Sequence, residues 1–333
     1  MLRETIAGVK PLSGDRTYLF ALMFIGSLVA SSLGCGAVNE GSPVDAAPGP
    51  SIDAPLDAAV ATPRCDPTKP FGAPTPVPNI NSTSRDQGAV LVDDLTLYFG
   101  SDRGGAATGT DLYVATRSSP TSPFANPVPL ALNKAISESG PTLTGDGRTM
   151  FYIATSAGGT GEIYVTMRAD KTSAFPVGTP VTQLNSSLDD LDPFVTADGT
   201  ALYFDSARDG TALHLYVAFR QGNAPFGTPQ PLMTLHTSAI DGHPVVSQDG
   251  LRIYWSSTRP DGGAQGGNKT DIWTATRSST AGAFDMATRV PELSSTSNES
   301  PSWLAPDGCT IYLQSDRSGT LGAQDIFVAV KPM

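Results

Sequence analysis

Short apolar runs alternate with polar turns along this chain, and no stretch carries a sustained apolar stripe at helical spacing. The runs "MFYI" at 150–153, "LYF" at 202–204, "IYW" at 253–255 and "IYL" at 311–313 are apolar at successive positions. Strands of that kind need cover on both faces. Each run follows a turn aspartate, at Asp93, Asp146, Asp198, Asp249 and Asp307, with spacings of 53, 52, 51 and 58 residues. Asp-Gly between two such runs predicts a tight hairpin, because glycine accepts positive φ. Five residues after each aspartate stands an aromatic: Tyr98, Phe151, Tyr203, Tyr254 and Tyr312. A Ser-x-Arg element follows, ending at Arg103, Arg208, Arg259 and Arg317, and the second copy replaces it with "TSAGG" at 155–159. A further strand then opens as "DLYVA" at 111, "EIYVT" at 162, "HLYVA" at 214, "DIWTA" at 271 and "DIFVA" at 325. After the first four copies comes a phenylalanine in a proline-rich loop, at Phe124, Phe175, Phe226 and Phe284.

A period near 50 residues predicts a propeller or a solenoid, and the two ends of the chain decide between them. The last copy stops at "DIFVAVKPM" and lacks the phenylalanine loop and the outer strand. The missing piece stands near the other end, where "RCDPTKPFGAPTPVPNINS" at 64–82 runs parallel to "RSSPTSPFANPVPLALNKA" at 117–135. Residues 75–81 are therefore expected to form the outer strand of the last blade. The predicted fold is all-β: a five-bladed β-propeller of four-stranded antiparallel blades over 64–333, closed by an N-terminal strand. In such a meander Cys65 and the turn cysteine Cys309 fall on the same sheet edge, so a disulfide between them is expected to lock the ring.

Composition adds an address. The formal net charge is −11 with no basic block, which argues against nucleic acid. Arg3, Lys10 and Arg16 precede an apolar run from Tyr18 to Leu33, a length suited to a signal-peptide core rather than a membrane span. The run ends in "SSLGC", which resembles a bacterial lipobox with Cys35 as the lipid-attachment residue. Residues 1–35 are thus expected to be a lipoprotein-type signal peptide. Gly36 lacks the aspartate associated with inner-membrane retention, so an outer-membrane address is expected, with contact to the membrane only through the lipid. Residues 36–63 hold no aromatic, Lys or Arg, and 20 of the 28 are Ala, Pro, Gly, Ser or Asp. A segment of that composition reads as a disordered tether.

The pattern "PDGCTIYLQSDRSG" followed by "QDIFVA" resembles the WD40-like β-propeller repeat of the TolB type, over about 64–333. The resemblance implies an envelope or periplasmic propeller that mainly binds other proteins, with no cofactor. The expected protein is accordingly a monomeric, non-enzymatic scaffold for an envelope protein.

The search for chemistry yields one constellation. No G-x-S-x-G occurs, and no His/Cys/Asp cluster shows metal-ligand spacing in the sequence. His214, in a repeated Asp position, and His236, at an outer-strand end, read as structural. Four inner strands are preceded at matched register by an acid, Glu138, Asp190, Asp241 and Glu299, on loops expected to ring the channel. Asp192 and His243, each one residue before a proline, join them as candidates for a ligand or partner face. Two expectations follow. A carboxylate funnel would bind or hydrolyse a sugar between paired acids, with an exposed Trp255, Trp273 or Trp303 as platform. Alternatively, Arg103, Arg208, Arg259 and Arg317 neutralise the acids in repeated ion pairs that hold the blades.

Overall fold

A computed structural model describes residues 64–105, 109–155, 159–260 and 269–333. The segments 1–35 and 36–63, with Cys35, lie outside the described residues, as does the centre of the glycine-rich insertion in the fourth copy. Five antiparallel sheets of four strands stand side by side. The inner, second and third strands of successive blades are Asp86–Asp93, Thr96–Ser101 and Asp111–Thr116, then Ser137–Leu143, Thr149–Thr155 and Gly161–Met167. They continue as Asp190–Val195, Ala201–Ser206 and His214–Phe219, then Asp241–Val246, Arg252–Ser257 and Asp271–Thr276. The fifth set is Glu299–Leu304, Thr310–Ser315 and Asp325–Val330.

Closure follows the split repeat. The outer strand of the fifth blade is Thr75–Pro76, which pairs antiparallel with Val328 and Phe327. It is shorter than the expected 75–81, and the other four outer strands are equally short: Val128–Pro129, Thr179–Pro180, Gln230–Pro231 and Thr288–Arg289. Four of the five carry a proline, which removes a ladder donor, ends pairing at the rim and protects the exposed edge from further strands.

Burial shows why five blades need one another. The core is divided into five clusters, each made by two neighbouring blades. One of them joins the fifth blade to the first, with Val77, Ile80, Tyr312 and Ile326 against Leu97, Phe99, Tyr113 and Phe124. An open array would leave two such faces wet, and each large side chain returned to water costs about 1.5–3 kcal/mol. The loop phenylalanine also has its reason. Arg117, Arg168, Arg220 and Arg277 place their guanidinium groups 4.6, 4.3, 4.6 and 4.5 Å from the ring centroids of Phe124, Phe175, Phe226 and Phe284. In the split blade Lys331 takes this role over Phe71, at 4.9 Å, so the device joins the two ends of the domain.

Cys65 and Cys309 form a disulfide with their Cα atoms 5.6 Å apart, across a sequence separation of 244. Among the described residues no helix is long and apolar enough to cross a membrane. Replacing Cys65 and Cys309 together by Ser is expected to lower the unfolding free energy by about 2–5 kcal/mol. Guanidinium titration followed by tryptophan fluorescence measures this, and an unchanged midpoint would contradict a role in closure.

Candidate functional site at the channel mouth

The acids at matched register are among the most deeply buried groups of the fold. Asp86, Asp190, Asp241 and Glu299 are fully buried and Glu138 nearly so. Arg103, Arg208, Arg259 and Arg317 meet four of them, at 2.6 Å to Asp86, 2.5 Å to Asp190, 2.7 Å to Asp241 and 3.3 Å to Glu299. The serine of each Ser-x-Arg works with its arginine. Ser101, Ser206 and Ser315 donate to the carboxylates, at 2.5, 2.6 and 3.0 Å, while Trp255 Nε1 donates to Asp241 at 3.0 Å. The guanidinium groups also donate to the carbonyls of Ile80, Leu184, Leu235 and Leu293, which end the outer-strand segments. Each unit ties the inner and second strands of one blade to the end of the preceding blade's outer-strand segment. Asp190 and Glu299 have both carboxylate oxygens engaged, and Asp241 keeps Oδ2 without a hydrogen-bond partner but buried.

Glu138 has no arginine, because its blade lacks the Ser-x-Arg. It accepts the backbone N–H of Lys134 at 3.1 Å, and its Oε2 is buried without a hydrogen-bond partner. Burial raises its pKa from 4.5 to about 7.

Asp192 and His243 stand apart from those five. In the first four blades the inner strand bulges two residues after the acid, at Gly88, Gly140, Asp192 and His243, and the matching residue of the fifth blade is Pro301, just before its bulge. The first four have φ of 64°, 57°, 46° and 52°. A Cβ on Gly88 would come within 3.2 Å of the Gly140 Cα, so the blades approach closely there. Asp192 and His243 adopt this left-handed backbone without being glycine, at a cost of about 1–2 kcal/mol each. Their side chains meet, with His243 Nδ1 3.1 Å from Asp192 Oδ2, and both are partly exposed.

Two residues outside the sequence-based candidates complete the cluster. Asp205 is fully buried, accepts the His243 backbone N–H at 3.2 Å and lies against the Asp192 carboxylate. Burial first, then the charge of Asp192, pushes its pKa well above the usual carboxylate range. Gln314 reaches across from the fifth blade, its Oε1 taking the Gly88 N–H at 2.6 Å and its Nε2 lying 2.9 Å from His243 Nε2. The Gly88 bond orients the amide so that its NH₂ donates to His243 Nε2. The imidazole proton is then on Nδ1, where it donates to Asp192. Asp205 and Gln314 occupy one repeat register, whose other members are Gly100, Ile153 and Ser256. That irregularity in an otherwise regular repeat was the available sequence signal.

Prolines 141, 193, 244 and 301, Phe194, Ser139 and Ser302 line the rest of this mouth, around about 460 Å³ of space open to solvent. Trp255 and Trp273 are buried in the blades, and Trp303 is half-buried against Tyr312.

No protein-family model matches the chain, and no curated protein matches it. Solved structures do. TolB from Acinetobacter baumannii is 19% identical with a TM-score of 0.44, over 79% of this chain and 54% of that one. This chain thus spans about half the length of that TolB. A GH43_1 enzyme from Xanthomonas citri complexed with xylose is 18% identical with a TM-score of 0.49, over 77% and 89% of the two chains. An α-L-arabinofuranosidase from Podospora anserina in complex with cellotriose is 11% identical with a TM-score of 0.48, over 80% and 98%.

Two outcomes test the electrostatics. Arg208→Met strands the buried Asp190 charge and is expected to cost about 3–5 kcal/mol of stability in urea unfolding. Glu138 binds a proton in the folded state that the unfolded chain releases between pH 4.5 and about 7, so its contribution to stability falls as pH rises through that window. Glu138→Gln removes this loss. Its melting temperature is expected to match the parent near pH 4 and to exceed it increasingly up to pH 8; equal values throughout would refute the assignment.

Proposed function

We propose that this chain is an exported, non-enzymatic propeller that binds a protein partner through the channel mouth. The observation that carries the reading is the left-handed backbone of Asp192 and His243, kept at positions where the neighbouring blades use glycine. A strained position that presents a paired polar side chain to solvent is retained for what the side chain meets. The partner surface this mouth suits offers hydrogen-bond donors to Asp192, with Phe194 and the prolines supplying apolar contact. Hydrolysis of a glycoside asks for more. Two carboxyl groups must flank the bond, about 5–5.5 or 6.5–9.5 Å apart. Among the described residues lining this mouth Asp192 is the one carboxylate, and its nearest acid, Asp205, lies buried against it.

The disulfide supports an oxidising compartment. With it, the reading includes the signal peptide at 1–35, a lipid on Cys35 in the outer membrane and the tether at 36–63.

The test is affinity capture from solubilised envelope with wild-type 64–333, with an Asp192→Ala, His243→Ala variant beside it and quantitative mass spectrometry as readout. One protein is expected to be enriched by the wild type, through salt washing, and reduced at least about tenfold with the variant. Equal capture by both would place the interaction elsewhere. Capture by neither, together with hydrolysis of an aryl-glycoside panel that the variant abolishes, would replace binding by catalysis.

A further inference from the structure

The third blade departs from the repeat at three positions that meet in space. The outer-strand segments of the first, second and fifth blades end in Asn133, Asn185 and Asn81, whose amides bracket the backbone of Leu112, Ile163 and Ile326. In the third blade that residue is His236, with Nε2 3.3 Å from the Leu215 carbonyl. The residue preceding this backbone, acidic in the other blades, is here His214. The two imidazoles stack with centroids 4.4 Å apart. Asp209, on the exposed turn after Arg208, places Oδ2 3.7 Å from His214 Nε2.

Among the described residues this is one group of three His, Cys, Asp or Glu side chains whose ligating atoms all lie within 4.8 Å of one another. The sequence spacing of 5 and 22 residues concealed it, since the triad is assembled across the blade. Its surroundings are arranged as those of a metal site. Thr211 donates both its N–H and its hydroxyl to Asp209 Oδ1, at 3.1 and 2.8 Å, which leaves Oδ2 toward His214. A carbonyl only accepts, so His236 carries its proton on Nε2 and keeps a lone pair on Nδ1. His214 is 95% buried, and its Nδ1 has no hydrogen-bond partner. That nitrogen lies 4.0 Å from Asp241 Oδ2, itself unpartnered because Arg259 and Trp255 both use Oδ1. A carboxylate behind one imidazole nitrogen, with the other nitrogen facing a second carboxylate, is the outer-shell arrangement that orients a metal-bound histidine.

We infer that Asp209, His214 and His236 form a binding site for a divalent transition metal ion of the zinc type. Two imidazoles and one carboxylate suit a tetrahedral ion with ligands at about 2.0–2.1 Å. Neighbouring donors around such an ion stand about 3.3 Å apart. The exposed Asp209 turn and the part-exposed His236 ring leave room for that closure and for a fourth ligand from solvent. The ion would pin the turn at 209–211 to the end of the outer strand, within the third blade and away from the channel mouth.

The experiment uses the tag-free full chain, stripped with chelator and titrated calorimetrically with zinc chloride, with calcium chloride as control. One zinc per chain is expected, with no heat from calcium, and a zinc-dependent rise in melting temperature. His236→Asn installs the residue that the first, second and fifth blades use, so the metal-free variant is expected to melt with the parent. Its zinc affinity is expected to fall by more than about 100-fold, beyond the loss typical of an outer-shell partner. Asp209→Asn, on an exposed turn, is expected to weaken binding independently of any effect on the core. Absence of zinc binding by the parent, or parental affinity in both variants, would overturn the assignment.

Discussion

Every blade depends on the return of residues 64–82 to the end of the chain. A blade with both faces apolar is stable only between two neighbours, and a linear row of five always has two blades with one neighbour each. The antiparallel pairing of Thr75–Pro76 with Phe327 and Val328 removes that defect. Phe71 under Lys331 and the Cys65–Cys309 bond act on the same joint. The contacts that close the ring are the most distant in sequence, so their formation carries the largest loop-closure entropy in the fold. A covalent bond placed there restricts the unfolded chain where the constraint is greatest.

Within each blade the repeated polar element is a buried ion pair. Taking an acid and a guanidinium out of water is costly, and the arrangement is tolerated because each carboxylate is met by the arginine and by a serine or tryptophan donor. The second blade shows the consequence of losing one member. Without the Ser-x-Arg, Glu138 remains buried, and its carboxyl answers by holding its proton. Acids at the same register thus have different protonation behaviour solely because of what stands opposite.

Repetition and irregularity separate structure from candidate function. Residues copied from blade to blade face their own blade or the next one. The unlike residues gather in two places, Asp192 with Asp205, His243 and Gln314 at the channel mouth, and Asp209 with His214 and His236 on the third blade. A five-fold scaffold supplies equivalent positions, and chemistry requires that they cease to be equivalent.

What the chain alone determined is the architecture. The turn aspartates, the successive apolar positions and the split last repeat imply five closed blades and the disulfide, because these follow from local turn chemistry, burial on both faces and the count of copies. The pairing of Arg103, Arg208, Arg259 and Arg317 with the inner-strand acids was also legible as one of two expectations. The sequence could not choose between pairing and a carboxylate funnel, since spacing along the chain does not report whether an acid opening an inner strand faces the arginine of its blade or the channel. Asp205 and Gln314 read as strand residues and came together with His243 only through the ring. His214 and His236 read as structural substitutions because their shared neighbourhood arises from the pairing of third and outer strands, which spacing along the chain does not report.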